Sequence, residues 1–386
     1  MKRSNERILT THVGSLPRPE TLLADAAAAR AGSGKEIYER DLAAAVAEIV
    51  AKQAEVGLDI VNDGEFGKSG WANYAMERMS GFEPRPDTLY PAIWLGEDRL
   101  RFADFMKEDF PRGYEGTAGH ACTSAISYQD KDSVRRDIAN LKAAVGKVKV
   151  EEAFFTCVAP ASVGYDAANE FYNNETDYVF AIADAMREEY KAVADSGLIL
   201  QVDDAVLANM YDHLVRQSPD RYREWAELRV AALNRALEGI PAEQIRYHVC
   251  FGSWHVPHVS DAPLESIIDL IMKVNVGAFA IEAANVRHEH EWRVWEKVGL
   301  PEGKILIPGV ITHHTITVEH PQLVADRIVR FAKILGRENV IAGTDCGFAQ
   351  AEGIRRVHPS VMWAKFESLV EGARIASKEL WGKAAA

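Results

Sequence analysis

The chain repeats one unit along its length: a short apolar run, a polar or glycine-bearing end, and then a stretch with helical spacing. One example is the stretch from Leu42 to Val50, where apolar residues recur at helical spacing before Gly57. Alternating strands and helices are typical of a parallel sheet whose faces are covered by helices. The predicted strands cover residues 8–12, 58–62, 148–156, 198–202, 246–251, 278–282, 305–310 and 339–342.

Eight such units in a chain of 386 residues predict an α/β fold, the (β/α)8 TIM barrel. The alternative is an open doubly wound sheet, which usually carries a glycine-rich phosphate loop, and the sequence has no GxGxxG motif or P-loop. We therefore expect residues 1–386 to form a single domain. Residues from about 82 to 127, between the second and third predicted strands, have no sustained period. We expect an irregular insertion there, serving as a lid or an oligomer contact.

The overall charge argues against two classes of partner. The formal net charge is −13, and no basic cluster offsets repulsion by phosphate, so we expect neither nucleic acid nor an anionic membrane as a partner. No apolar run is long enough to span a bilayer, and the start of the chain lacks the apolar stretch of a signal peptide. The four cysteines lie far apart and do not suggest a disulfide framework. These features predict a cytoplasmic protein, with a homo-oligomer left open.

A His-x-Cys pair in the fifth predicted strand is the first sign of chemistry. Side chains alternate along a strand, so His248 and Cys250 project from the same side and could both reach one zinc ion. A satisfied buried histidine beside an inert cysteine is the alternative. Because chemistry in barrels sits at the C-terminal ends of the strands, the polar strand ends are expected to converge at one mouth. Those ends are Ser15, Glu65, Asp203, Asp204, His248, Cys250, Glu282, His314 and Cys346.

Six short motifs, in their order along the chain, carry a resemblance to a known family. They are Val-Gly-Ser-Leu-Pro, Asp-Gly-Glu, Gln-Val-Asp-Asp, His-Val-Cys, Ile-Glu-Ala and Asp-Cys-Gly. In this order the chain resembles the catalytic C-terminal half of cobalamin-independent methionine synthase. The resemblance implies a (β/α)8 barrel related to uroporphyrinogen decarboxylase. It also implies transfer of a methyl group from methyltetrahydrofolate to the thiol of homocysteine, on zinc.

The resemblance also implies a role for each motif residue. The residues that look like the zinc ligands are His248, Cys250, Glu282 and Cys346. Ser15, Glu65 and Asp203 look like residues that hold the amino and carboxylate groups of the amino acid, and we place Asp204 with them as substrate-binding. His314 looks like the histidine that supplies a proton during methyl transfer.

Three departures from the family leave the substrates open. The resemblance covers only the catalytic barrel, so we expect no counterpart of the family's additional N-terminal barrel, which helps to bind folate. Asp204 and Ala205 stand where the family has glutamate and proline, and residues 153–160 lack its Gly-Pro-x-Thr. The thiol and the alkyl donor could therefore differ, as in the single-barrel epoxyalkane coenzyme M transferase. A zinc hydrolase and a non-catalytic thiol-binding barrel are further alternatives.

Several of the polar residues also have simpler interpretations. Glu65 could cap the following helix, and Asp203 and Asp204 could be solvated charges at a strand end. His255 or His258 could replace Glu282 or Cys346 as a metal ligand. The cluster at residues 287–291 is most simply an exposed helix start, and we expect only one of the adjacent His313 and His314 to face the barrel mouth.

Overall fold

Eight parallel strands form one sheet that closes on itself. The computed structural model describes residues 1–90, 92–111, 115, 117–165 and 167–382. The strands of this sheet are β1 (Leu9–Thr10), β2 (Ile60–Val61), β5 (Glu152–Val158), β7 (Ile199–Asp204), β8 (Ile245–Val249), β9 (Ala278–Ile281), β10 (Ile305–Ile311) and β11 (Ile341–Thr344). They lie in the order β1-β11-β10-β9-β8-β7-β5-β2, and the N–H of Asp59 donates to the carbonyl of Thr10 (3.2 Å), which brings β2 back to β1. The (β/α)8 barrel is confirmed.

Helices surround the barrel and bury their apolar faces against it. In the helix Lys35–Val56, the predicted apolar stripe is buried, and the helix ends at Gly57, whose φ of 96° is left-handed. The other helices longer than seven residues are Glu20–Arg30, Lys131–Val145, Glu175–Asp195, Pro219–Leu237, Leu264–Met272, Pro321–Leu335 and Pro359–Trp381. Shorter helices are Asn73–Glu77, Asp98–Arg101, Ala103–Asp109, Pro160–Gly164, Val206–Asn209, Tyr211–Val215 and Trp292–Val298. Within the described ranges, every helix is too short or too polar to cross a membrane.

The barrel interior is apolar at one level and polar at the next. Leu9, Ile60, Phe154 and their neighbours on the other strands form a small buried cluster inside the sheet. Above them the buried Arg246 lies over the ring of Phe154, 3.5 Å from its centroid, and donates to Gln201 and to Thr11. The interior is therefore packed with side chains rather than open, and the space for a ligand lies at the mouth.

The insertion between β2 and β5 has regular structure, so the prediction of an irregular segment is wrong. It contains β3 (Met79–Tyr90) and β4 (Thr117–Tyr128), which pair antiparallel, and β6 (Ala167–Asn169) adds a third strand to this sheet. Much of β3 is exposed, and Pro84 and Pro86 lie within it. A strand with so little burial needs no apolar alternation, which is why the pattern gave no signal.

A short segment of the insertion rests on a loop at the barrel mouth. Trp94, in the turn Ile93–Leu95, stacks on Trp254 with ring centroids 4.2 Å apart. The carboxylate of Asp98 accepts the N–H of Val259 (3.1 Å). The insertion therefore holds the loop that follows β8. Whether it also acts as a lid or an oligomer contact remains a prediction.

Candidate metal centre

Three buried side chains meet where β8 and β11 end. His248 lies in β8, Cys250 follows the last residue of that strand, and Cys346 comes two residues after β11. Ligand atoms of the three residues all lie within 4.8 Å of one another, and the two sulfur atoms are 3.5 Å apart. The alternation of β8 therefore places the His-x-Cys pair as expected, and the barrel brings Cys346 to it from 96 residues away along the chain.

These three residues fit a zinc ion. His248 is 1% exposed, and neither ring nitrogen has a hydrogen-bond partner among the described residues. Such a buried orphan is costly unless something binds it. The hydrogen bond from Cys250 lowers the pKa of Cys346 well below that of an ordinary thiol, while the same contact raises the pKa of Cys250. Ionising both thiols at once therefore calls for a cation, and one imidazole with two thiolates is a typical set of zinc ligands.

Backbone and hydroxyl donors support the two sulfur atoms. The N–H of Gly252 donates to the sulfur of Cys250 (3.3 Å), and the hydroxyl of Ser253 donates to that of Cys346 (3.0 Å). Donors of this kind stabilise thiolates and fix their orientation. Ser253 was not predicted, because a serine in a loop carries no pattern of its own.

Glu282 lies at the edge of this cluster. It follows β9, and its Oε1 is 3.9 Å from the sulfur of Cys250 and accepts the N–H of Phe251 (3.1 Å). Its Oε2 is 3.7 Å from Nε2 of His314. Although burial alone would raise the pKa of Glu282, its contacts with His314 and the other histidines lower it. Glu282 is therefore an ionised carboxylate close enough to serve as a fourth ligand after a small movement, and that role remains a prediction.

A cavity of about 70 Å³ opens beside the thiols. At roughly 10–15 Å³ for each water, it has room for about five water molecules, which suits a small ligand. Seven of the nine predicted site residues line it, and Glu282 and His314 do not. Its lining also includes Trp71, Trp254, Gln350 and Arg356, none of which had been assigned from the sequence.

Two carboxyl groups in the cavity lining can accept further hydrogen bonds. Glu65 is 3% exposed, and its Oε2 has no partner among the described residues. Asp203 accepts a hydrogen bond from Gln201 (2.6 Å), and burial raises its pKa to about 8. The next helix, Asn73–Glu77, begins after Ala72 without a side-chain cap, so Glu65 does not cap it.

Ser15 and Asp204 have their hydrogen bonds filled by the protein. The hydroxyl of Ser15 donates to the carbonyl of Ala349 and accepts its N–H. The carboxylate of Asp204 accepts from Ser162 (3.0 Å), from Tyr247 (2.8 Å) and from two backbone N–H groups. Both residues therefore hold loops in place from within the cavity wall. The interpretation of Asp203 and Asp204 as solvated charges is wrong, since they are 8% and 3% exposed.

The histidines near the mouth separate into distinct environments. His313 is fully buried and the side chain of His314 is 13% exposed, as expected for a pair in which one faces the mouth. His258 has both ring nitrogens engaged, by Asp261 (2.8 Å) and the carbonyl of Trp254 (2.8 Å), so it is not free to replace a ligand. His255 is exposed.

The interpretation of residues 287–291 as an exposed helix start is wrong for two of them. His288 and Glu291 are 3% and 8% exposed, and the His288 ring bonds Glu291 (2.8 Å) and Asp261 (3.0 Å). Although burial alone would lower the pKa of His288, these two carboxylates raise it to about 10. The burial comes from packing against Phe251, whose ring centroid is 4.1 Å away.

Comparisons with known proteins agree on one family. A family model described as the catalytic domain of cobalamin-independent synthase matches residues 8–88 and 156–365. A methionine synthase of Saccharolobus islandicus (strain Y.N.15.51) is 24% identical over 376 residues, covering 96% of this chain and 95% of that protein. A methionine synthase of Sulfolobus acidocaldarius is 23% identical and covers 96% and 93%.

A comparison with solved structures shows the same fold. A B12-independent methionine synthase from Shewanella sp. W3-18-1, solved in complex with selenomethionine, superposes with a TM-score of 0.74 at 19% identity. The match covers 98% of this chain and 100% of that one. Because the family model spans most of the chain, the protein belongs to the cobalamin-independent methionine synthase family, a family of methyltransferases.

Proposed function

We propose that this protein transfers a methyl group, with zinc as cofactor, to the thiol of a small amino acid of the homocysteine type. The observation that carries the proposal is the meeting of His248, Cys250 and Cys346 in the wall of a small cavity. In the same lining, Glu65 adds a carboxylate suited to an ammonium group, and Asp203 adds a carboxyl group that a bound ammonium group would favour in its ionised form. The match to a methionine synthase covers 95% of that protein and 96% of this chain. This agreement in length supports the proposal that a single barrel is sufficient for the reaction.

The thiol must be ionised before it can attack. A free thiol has a pKa near 8.5 and is only a few per cent thiolate at neutral pH. Zinc, when bound, supplies the positive charge that removes this proton. The gain in thiolate is roughly 30-fold, about 2 kcal/mol of barrier, so most of the acceleration must come from positioning.

The residues of this chain supply that positioning. Glu65 and Asp203 bind the ammonium group of the acceptor, which fixes its thiol beside Cys250 and Cys346. The substrate sulfur attacks the methyl carbon of the donor, an S–C bond forms, and the donor's N–C bond breaks with its electron pair left on nitrogen. His314, whose Nε2 lies 3.7 Å from the carboxylate of Glu282, donates a proton to that nitrogen. A methylated tetrahydrofolate is the donor class that we propose.

Product analysis with a labelled donor tests the proposal. Zinc-loaded protein is incubated with homocysteine and 5-methyltetrahydrofolate carrying a ¹³C methyl group, and labelled methionine is measured by mass spectrometry. The expected result is label in methionine that depends on both the thiol and zinc. A parallel reaction contains coenzyme M in place of homocysteine. Label in methylated coenzyme M, with none in methionine, would show that the acceptor is a thiol other than homocysteine. Hydrolysis of esters or amides without any thiol, or tight thiol binding with no transfer, would contradict the proposal.

A further inference from the structure

Arg356 places a guanidinium in the wall of the cavity that also contains Glu65 and Asp203. The residue follows Cys346 by ten positions, in the loop after β11, and its side chain is partly buried. Its Nε donates to Oε1 of Gln350 (2.6 Å), and its backbone N–H donates to the carbonyl of Phe348 (2.8 Å). The guanidinium is therefore held through its Nε, and the partners of its two terminal nitrogens remain to be identified.

Those terminal nitrogens donate to no residue in the described part of the chain. Other partly or fully buried arginines differ: Arg78 pairs with Asp137 (2.6 Å) and Arg327 pairs with Glu289 (2.9 Å). The planar fork of Arg356 is thus a donor pair that is free to bind a ligand in the cavity.

The charges around the cavity are arranged for a ligand with both signs. Among the described residues that line it, Arg356 is the one with a permanently positive side chain, while Glu65 and Asp203 carry carboxyl groups that a ligand's ammonium group would hold ionised. The hydroxyl of Ser15 is already committed to Ala349, so it has no proton left to donate to a ligand. An acid group in this cavity would therefore find its charged donor in Arg356.

We propose that Arg356 binds the acid group of the thiol substrate through its two terminal nitrogens. The acceptor is then a small thiol that carries an ammonium group and an acid group together. Arg356 holds the acid, Glu65 and Asp203 hold the ammonium, and the thiol is left to point at the metal ligands. The inference rests on the proposed methyl transfer and adds the chemistry by which the acceptor is selected. Bidentate pairing of a guanidinium with a carboxylate is both strong and directional.

A pair of matched thiols tests this role. Homocysteine and 3-amino-1-propanethiol differ only in the carboxylate. Arg356→Gln should raise KM for homocysteine by roughly 10- to 100-fold, from the loss of charge-assisted hydrogen bonds, and leave KM for the aminothiol and for the methyl donor unchanged. Arg355→Gln, one residue earlier and exposed, makes the same change of net charge and should leave all three values as in the parent protein.

A binding measurement separates this inference from the proposed reaction. Calorimetric titration with L-methionine and with 3-(methylthio)propylamine, which lacks the carboxylate, needs no turnover. Arg356→Gln should weaken the binding of methionine by the same factor by which it raises KM for homocysteine. It should leave the binding of the amine unchanged. Arg356→Lys keeps the positive charge but not the paired terminal N–H donors. Its affinity for methionine should therefore lie between those of the parent protein and Arg356→Gln.

Three results would overturn the inference. They are unchanged methionine affinity in Arg356→Gln, an equal loss in Arg355→Gln, and a rise in KM confined to the methyl donor. The last result would assign Arg356 to an acid group on the donor instead. If the parent protein methylates no thiol, the proposed function fails, but the methionine titration still decides whether Arg356 recognises an acid group.

Discussion

Two clusters of buried histidine and acidic groups lie next to each other at the barrel mouth, and they differ in how completely they are hydrogen-bonded. In the first, His288 bonds Glu291 and Asp261, and Asp261 also bonds His258. In the second, both nitrogens of His248 are orphaned among the described residues and the thiols of Cys250 and Cys346 face each other. Phe251 joins them, since it follows Cys250 and packs on His288.

The difference separates a structural cluster from a binding cluster. The first cluster has a protein partner for each ring nitrogen of its histidines, so it has nothing left to offer a metal or a substrate. The second has unused ligand atoms in a buried place, and a buried polar atom without a partner calls for an explanation. A count of ionisable groups alone would favour the first cluster as a binding site. The number of ligand atoms without a hydrogen-bond partner is therefore the more informative property.

The largest expected effect is on the binding cluster. Cys250→Ser should abolish stoichiometric zinc binding and lower methyl transfer by at least about 100-fold, since one of two thiolates is lost. Zinc content by mass spectrometry and the labelled-methionine assay measure the two effects. Cys122→Ser changes an equally buried thiol in the insertion sheet and should retain both properties. Full zinc and full activity in Cys250→Ser would remove the basis of the site.

The next effect belongs to the structural cluster. His288→Asn should lower the free energy of unfolding by about 3–5 kcal/mol, because it leaves the carboxylates of Asp261 and Glu291 buried without their shared partner. Urea denaturation measures the loss, and zinc content per folded molecule should stay the same. His290→Asn is the exposed control, and its stability should match the parent protein. Loss of zinc from His288→Asn would show that the two clusters do not act separately.

A smaller effect is expected at the residue between the clusters. Glu282→Gln keeps an oxygen for the N–H of Phe251 but removes the charge. Zinc affinity, measured by competition with a chelator, should fall by roughly 10- to 100-fold. The exposed Glu302→Gln should leave the affinity unchanged. An unchanged affinity in Glu282→Gln would remove it from the ligand set and leave three protein ligands.

The smallest effect is a pH dependence of stability that comes from His288. Its folded pKa of about 10 lies above the ordinary histidine value of 6.5, so its stabilising contribution is complete below pH 6.5 and is lost as pH rises toward 10. From pH 7 to pH 9, the free energy of unfolding should fall by about 1 kcal/mol per pH unit from this group. The His288→Asn protein should lack this slope, and an equal slope in both proteins would contradict the assignment.

Local patterns predicted the strand ends and hence most of the site. Each strand is a short apolar run, so its polar end can be found from adjacent residues, and the barrel symmetry then places these ends at one mouth. His248, Cys250 and Cys346 were assembled in this way from distant parts of the sequence. The assignment of Ser15, Glu65, Asp203 and Asp204 to one cavity followed from the same geometry.

What the sequence did not predict depends on contacts between distant loops. His288 looks like an exposed helix start until the loop with Asp261 and the ring of Phe251 cover it. Arg356 lies in a loop, where a charged residue usually faces water, and only the path of the chain after Cys346 brings it to the cavity. The strands of the insertion were missed because a sheet with little burial carries no alternation of apolar residues.

The Trp94–Trp254 stack places the insertion against the wall of the cavity. The match to the family model is interrupted from residue 89 to 155, a stretch that includes Trp94 and most of the insertion, while every strand-end residue of the site lies outside that interruption. Among the described residues, the cavity lining includes Trp254 but no residue of the insertion. A change in the insertion would therefore reach the cavity wall through Trp254, with the metal ligands left untouched.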